Sequence, residues 1–235
     1  SYHFKRRRNR RLFYFKLQCM KNIFILLLIF ILLFITGCAS TCMEYRSATT
    51  AARSEKDLKR AEEWGLKALE SAECNPSTDA LSPYFLAIEV YLNQRNYVKM
   101  AEMLDIAEQR NSDQLLESPF KLGDTPIQTI GEGVEAYRDQ EWVTIYNRAV
   151  DLIQKEKYEK AQEQIDIAIL IHPRKIDNYS TLSAMYLKDK NYNASLTIID
   201  KGLQIDDRSS ILNQMKADIL LNDSFLDDPV IDKKL

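Results

Sequence analysis

Apolar residues recur every three or four positions along most of the chain after residue 38, and this spacing predicts a series of amphipathic helices. The sequence Asn75-Pro76-Ser77 ends the second of them. The clearest predicted helices cover residues 39–54, 55–74, 77–93, 97–110 and 209–221. The chain is therefore expected to be helical throughout, with each helix burying one face.

The stretch 142–207 nearly repeats itself at a spacing of 34 residues. The repeated pattern is a large aromatic residue, a small residue, a branched residue, a second small residue and a turn residue. In the first copy these are Tyr158, Ala161, Ile165, Ala168 and Pro173, and 34 residues later they are Tyr192, Ser195, Ile199, Gly202 and Asp207. Small side chains let two antiparallel helices approach closely. One such hairpin leaves an apolar face bare, so neighbouring hairpins are expected to stack.

Two earlier stretches carry the same pattern. One copy is centred on Tyr84, Tyr97 and Ala107, and a weaker one runs from Tyr45 to Ala68 with Gly65 where a large residue is expected. This period and spacing resemble the tetratricopeptide repeat, TPR. The resemblance implies an all-α solenoid of antiparallel helix hairpins wound as a right-handed superhelix. Repeats 1 and 2 would fill residues 38–114, repeats 3 and 4 residues 142–208, and a capping helix residues 209–221.

An insert, residues 115–141, interrupts the repeats. It holds three of the chain's six glycines, so its first half is predicted as loop and its second half, from about residue 127, as helix. Residues 131–136 match the dinucleotide fingerprint G-x-G-x-x-A. That chemistry needs a preceding strand and a helix N-terminus free of negative charge, whereas a loop with Pro126 precedes this match and Glu132 lies inside it. We therefore expect a loop-to-helix junction and no cofactor.

The start of the chain has the layout of a lipoprotein leader. We expect residues 1–19 to be an upstream extension, translation to begin at Met20, and residues 20–37 to be a signal peptide. Its apolar run, residues 23–35, would reach about 20 Å as a helix, too short for a hydrocarbon core of about 30 Å. Residues 35–38 resemble a bacterial lipobox, which implies lipidation of Cys38. By the same resemblance, Ala39 favours the outer membrane, facing the periplasm.

Removing this leader changes the charge of the chain. Eight of the 32 Lys and Arg residues precede Cys38 and no acid does, which leaves 24 basic against 34 acidic residues, or a net charge of about −10. Nucleic acid binding needs clustered cations, so this balance argues against it. A net negative charge is compatible with binding a basic protein partner. The acidic stretch 222–235 is predicted to be a tail.

Of the four cysteines, Cys19 precedes the expected start and Cys38 would carry the lipid, so Cys42 and Cys74 remain. Cys42 begins the first predicted helix and Cys74 ends its antiparallel partner, so both are expected at the same end of the first hairpin. An oxidising periplasm would permit a disulfide between them. Two free thiols are the alternative.

Catalytic chemistry has little support in the sequence. The chain has two histidines, His3 in the leader and His172, so no histidine pair is predicted to bind a metal ion. No G-x-S-x-G motif or cysteine–histidine arrangement is present. The chain is therefore interpreted as neither an enzyme nor a metalloprotein.

The TPR resemblance implies that the first helix of each hairpin lines a partner-binding groove. The matching positions are Phe85, Glu89, Leu92, Val143, Tyr146, Val150, Ile153 and Lys188. Tyr146 is the expected anchor, and Tyr146→Ala combined with Val150→Asp is expected to weaken partner binding while leaving helicity and melting almost unchanged. The alternative is that the insert or the capping helix covers these side chains. The predicted function is a membrane-anchored scaffold that binds a protein partner in the bacterial envelope, and the alternative is a ligand-handling accessory lipoprotein of a transport system.

Overall fold

The computed structural model describes residues 42–221, and these residues form nine α-helices and one β-hairpin. The helices are α1 (Met43–Thr50), α2 (Leu58–Glu70), α3 (Leu81–Phe85), α4 (Tyr97–Asn111), α5 (Ile130–Gln154), α6 (Tyr158–Ile171), α7 (Ile176–Lys188), α8 (Tyr192–Ile205) and α9 (Ser210–Leu221). Helices α1 and α3 continue as π-helical segments, Ala51–Glu55 and Leu86–Tyr91. A short 3₁₀ segment, Ala72–Cys74, follows α2.

Successive helices pair into four hairpins, α1–α2, α3–α4, α5–α6 and α7–α8, that share one turn geometry. Each turn contains a residue in the left-handed region: Lys56 (φ 59°), Arg95 (φ 55°), Glu156 (φ 56°) and Lys190 (φ 57°). In three hairpins the next residue caps the second helix by accepting a hydrogen bond from the backbone N–H three residues later, and these caps are Asp57, Asn96 and Asn191. Lys157 takes the corresponding place in the third hairpin and makes no such bond.

Small residues lie where the helices of a hairpin approach each other, as the repeat pattern predicts. Ala149, Ala161 and Ala168 are fully buried between α5, α6 and their neighbours. Gly202 shows why the residue must be small in the fourth hairpin: a Cβ atom there would lie 2.5 Å from Leu212 Cδ1 and 2.9 Å from Tyr179 Cβ. The close contact between α8 and the final helix therefore depends on this glycine.

The first half of the insert is a β-hairpin, not the predicted loop. Strand β1 (Leu115–Leu122) pairs antiparallel with β2 (Thr125–Thr129), with Lys121 opposite Pro126 and Gly123 at the turn with φ +60°. Leu116 and Ile127 are its buried side chains. Prolines and glycine depress strand propensity, which explains why the pattern predicted loop.

The second half of the insert is helical, as predicted, but it is not a separate element. It is the start of α5, a single helix of 25 residues that continues through the first helix of the third hairpin. The helix begins with a capping box, in which the Thr129 and Glu132 side chains each accept a hydrogen bond from the other residue's backbone N–H. The insert and the third hairpin therefore share one rigid element.

The predictions on the leader, on Cys38 and on the acidic tail 222–235 concern residues outside the described range. Within residues 42–221, no helix is both long enough and apolar enough to cross a membrane. The remaining predicted helices agree with the structure to within a few residues at each end.

Candidate functional site

A cavity of about 320 Å³ lies between the β-hairpin and the first helices of the first two hairpins, and we call it the roofed pocket. Strand β1 forms one side through Leu116, Glu117, Ser118 and Phe120. The opposite side comes from α1, α3 and their π-helical continuations, and α5 closes one end with Tyr137. Its volume is within the range of natural ligand pockets, about 300–1,000 Å³.

Five aromatic side chains line the roofed pocket, and two pairs of them pack edge to face. The Tyr45 and Phe85 ring centroids are 5.8 Å apart at 81°, and the Tyr84 and Tyr137 centroids are 6.2 Å apart at 68°. Phe120 lies 5.8 Å from Tyr137 and so joins the β-hairpin to this cluster. Aromatic faces carry negative partial charge, so such a wall favours a cation or another aromatic group.

The charged groups of the roofed pocket form one connected set. Arg53 Nε donates to both carboxylate oxygens of Glu89 at 3.0 Å, and Arg53 Nη1 lies 3.8 Å from Glu117 Oε2. Tyr45 donates its hydroxyl proton to the same Glu117 oxygen at 2.9 Å. The hydrogen bond to Glu89 raises the pKa of Arg53, so the guanidinium stays charged. Two carboxylates and one cation leave the pocket with an excess negative charge.

Arg53 and Glu89 both lie on π-helical segments. Such segments widen a helix by one residue and are frequent at functional sites. On the other side of this ion pair is a second cavity of about 350 Å³, lined also by Ala52, Lys56, Leu58 and Asn93. The Arg53–Glu89 pair therefore stands between two cavities along the same surface.

Tyr84 explains why residue 133 of the insert is a glycine. Its hydroxyl is buried without a hydrogen-bond partner, and a Cβ atom on Gly133 would lie 2.5 Å from it. Burial raises the pKa of Tyr84, so the phenol stays neutral. The helix N-terminus that the dinucleotide fingerprint would use is filled by Glu132, whose carboxylate accepts from the Gln128 and Thr129 backbone N–H groups. A strand does precede the fingerprint, contrary to the expected loop, but the structure gives its glycines a packing role.

The predicted groove residues divide into separate surfaces. Phe85 and Glu89 line the roofed pocket, Phe85 being 2% exposed, while Leu92 is half-buried and does not line it. In the third and fourth hairpins the predicted residues are Val143, Tyr146, Val150, Ile153 and Lys188. Of these, Val143 is 47% exposed, Val150 is half-buried, and Lys188 donates to the Tyr158 hydroxyl. The insert thus covers only the part of the predicted groove nearest the chain's start.

Tyr146, the predicted anchor, takes part in packing within the chain. Its ring stacks on Trp142 with centroids 5.0 Å apart, and its hydroxyl oxygen lies 2.7 Å from Thr181 Oγ1 on α7. Tyr146 and Ile153 also pack against a core cluster that includes Ile165 and Leu182. The expectation that Tyr146 can be removed without affecting folding is therefore not supported by its contacts.

The sequence interpretation missed Tyr45, Arg53, Glu117 and Phe120 as pocket residues. Glu117 and Phe120 follow from the β-hairpin, which the pattern did not predict. Arg53 is 36 residues before Glu89, slightly more than one repeat period, and this spacing was the only available signal.

A second group of polar residues lies where α5 meets the end of α6. Glu135, Asp139 and His172 each place one ligand atom within 4.8 Å of the others, which is the spacing of a candidate metal site. The sequence interpretation looked for a histidine pair and so did not consider one histidine with two carboxylates.

Cys42 and Cys74 are both disulfide-bonded in the structure. The end of α2 lies beside the start of α1, where Ser71 Oγ donates to Glu44 Oε1 at 3.3 Å. Both observations agree with a Cys42–Cys74 bond and not with two free thiols, the alternative that the sequence left open. No protein-family model matches the chain, and a search of curated proteins found no match.

Proposed function

We propose that the protein is a membrane-anchored scaffold of the TPR type that binds a basic segment of a protein partner in the bacterial cell envelope. The roofed pocket carries this proposal, because it combines aromatic walls with an excess carboxylate along the first helices of two successive hairpins. The common turn geometry of the four hairpins and the buried small residues support the TPR comparison. We also propose that the four hairpins stack as a right-handed superhelix and that the protein is located in the cell envelope.

A lysine or arginine side chain of the partner fits the chemistry of the roofed pocket. Its aliphatic stem would lie against Phe85 and Phe120, and its charged end would reach Glu117. Glu117 accepts a hydrogen bond from Tyr45 at 2.9 Å, but its contact to the cation Arg53 is long, at 3.8 Å. The second cavity, beyond Arg53, would receive a neighbouring part of the same segment. The acidic balance of the chain after residue 38 would also draw a basic partner towards it.

Glu117→Lys is expected to weaken binding of a short labelled peptide that alternates lysine with apolar residues by about tenfold, since it replaces the attracting carboxylate with a like charge. Fluorescence anisotropy at low and at physiological salt measures this. Asp124→Lys is the matched control, because it makes the same change of charge at the exposed tip of the β-hairpin, outside the pocket. Equal loss of affinity in both variants would mean that only overall charge matters.

The same peptide experiment distinguishes the alternative, a ligand-handling accessory of a transport system. The volume of the roofed pocket, about 320 Å³, is the observation that favours this alternative. Free lysine amide is compared with the peptide by affinity and by the chemical-shift changes of Tyr45 and Phe120 in an NMR titration. If it binds as tightly as the peptide and causes equal shift changes, the pocket holds a small ligand and the scaffold proposal fails.

Anchoring is tested separately, because it depends on residues outside the described range. Cys38→Ser is expected to abolish acyl labelling and to release the protein from the membrane fraction or leave it as a precursor. Mass spectrometry of the wild-type protein provides the measurement, and Cys19→Ser is the control because residue 19 lies before the expected start. An intact leader in the wild type would contradict the lipoprotein proposal.

A further inference from the structure

His172 is a buried side chain whose two ring nitrogens both lack hydrogen bonds. Its side chain is 3% exposed, and neither Nδ1 nor Nε2 has a hydrogen-bond partner. Nε2 lies 3.2 Å from Glu135 Oε1 and 3.3 Å from Asp139 Oδ1. A neutral imidazole nitrogen and two carboxylate oxygens this close would repel each other, unless a proton or a cation lies between them.

The two distances from His172 Nε2 to the carboxylate oxygens match a small tetrahedral ion. Zinc binds imidazole nitrogen and carboxylate oxygen at about 2.0–2.2 Å, so neighbouring ligand atoms around it lie about 3.3 Å apart. Glu135 and Asp139 are four residues apart on α5 and therefore face the same side. His172 directly follows α6, so an ion here would join two different helices.

We infer that Glu135, Asp139 and His172 form a binding site for one divalent transition-metal ion, with Zn²⁺ as the best fit. One nitrogen and two oxygens suit zinc, cobalt or manganese better than the softer ions that prefer sulfur. Three protein ligands leave a fourth position for water.

Two cations already contact the carboxylates, and they set the expected affinity. Arg174 Nη2 binds Glu135 Oε2 at 2.6 Å and so leaves Oε1 facing His172. Lys175 Nζ lies 2.6 Å from Asp139 Oδ1, the oxygen that the ion would use, and therefore competes with it. In the same position Lys175 Nζ lies 5.1 Å from the centroid of the Trp142 ring. With this competition, and with no acceptor on Nδ1 to fix the ring, a micromolar site is expected.

The test is a titration of the full chain in detergent with Co²⁺, followed by displacement with Zn²⁺, under non-reducing conditions. Bound Co²⁺ in tetrahedral geometry gives intense visible absorption, and isothermal titration gives the stoichiometry. We expect one ion per chain, and at least a tenfold loss of affinity in His172→Gln and in Asp139→Asn. Glu163→Gln is the matched control, since Glu159 and Glu163 are an exposed carboxylate pair at the same spacing on α6.

Lys175→Gln tests the site in the opposite direction, because this variant is expected to gain metal affinity. If the site binds a metal ion, removing the competing cation should tighten binding several-fold, although it leaves Asp139 without its ion pair. Circular dichroism of each variant shows whether it folds. Absence of Co²⁺ binding in the folded wild type, or binding that His172→Gln leaves unchanged, would overturn the assignment and leave the cluster as a set of ion pairs that shares a proton.

Discussion

Breaking a disulfide between Cys42 and Cys74 is expected to lower the free energy of unfolding by about 3–4 kcal/mol. The bond would close a loop of 33 residues, from 42 to 74, and so restrict the unfolded chain. Both cysteines are disulfide-bonded in the structure. Urea denaturation of the exported domain with and without a reducing agent measures the difference.

The first hairpin has particular need of such a bond. Its buried side chains are mostly small ones, Ala48, Ala51, Ala52, Ala61 and Ala68, together with Tyr45. Alanine buries little apolar area, so hydrophobic stabilisation of α1 against α2 is weak. Gly65 is small for another reason, since a Cβ atom there would lie 2.5 Å from Leu86 Cδ2 of the second hairpin.

Comparison of single and double variants identifies the bonded pair. If Cys42 and Cys74 bond to each other, then Cys42→Ser, Cys74→Ser and the double variant should lose the same stability. Peptide mapping under non-reducing conditions gives the connectivity directly. Different losses in the two single variants, or a mapped bond to Cys38, would contradict the predicted pair.

The helices were predictable because their evidence is periodic and local. Apolar spacing located the helices of the four hairpins, and the repeat identified Ala161, Ala168 and Ser195 as residues of close contact, all of which are fully buried. The β-hairpin was not predictable in this way. Its strands contain Pro119 and Pro126, and only two of its side chains, Leu116 and Ile127, are buried, so no alternating pattern is visible.

The candidate sites were less predictable because they join residues that are distant in sequence. Arg53 and Glu89 lie on successive hairpins, and Glu117 reaches them only because β1 lies over α1 and α3. The π-helical segments that place Arg53 and Glu89 have no sequence pattern that distinguishes them from α-helix. His172 directly follows α6, and its carboxylate neighbours depend on how α5 packs beside it.

Tyr146→Ala is expected to destabilise the protein by about 2–3 kcal/mol, which differs from the expectation based on sequence. The substitution removes a ring that stacks on Trp142, a hydrogen bond to Thr181 and contacts with the core between α5, α6 and α7. Trp142 also connects α5 to α7, since its Nε1 donates a hydrogen bond to Asn178 Oδ1 at 2.8 Å. Together these two residues fasten α5 to α7, and thermal and urea denaturation measure the loss.

Two further variants separate packing from partner binding on this surface. Tyr146→Phe keeps the ring and loses only the hydrogen bond, so it should cost about 0.5–1.5 kcal/mol. Val143→Ala, one turn earlier and 47% exposed, should change stability by no more than about 0.5 kcal/mol. If Tyr146→Ala instead melts like the wild type and abolishes binding of the lysine-containing peptide, while Glu117→Lys does not, then the partner surface lies on α5 and α7. In that case Tyr146 contributes mainly to binding, and its contacts within the chain add little stability. The roofed pocket is then a structural cavity that does not bind the peptide.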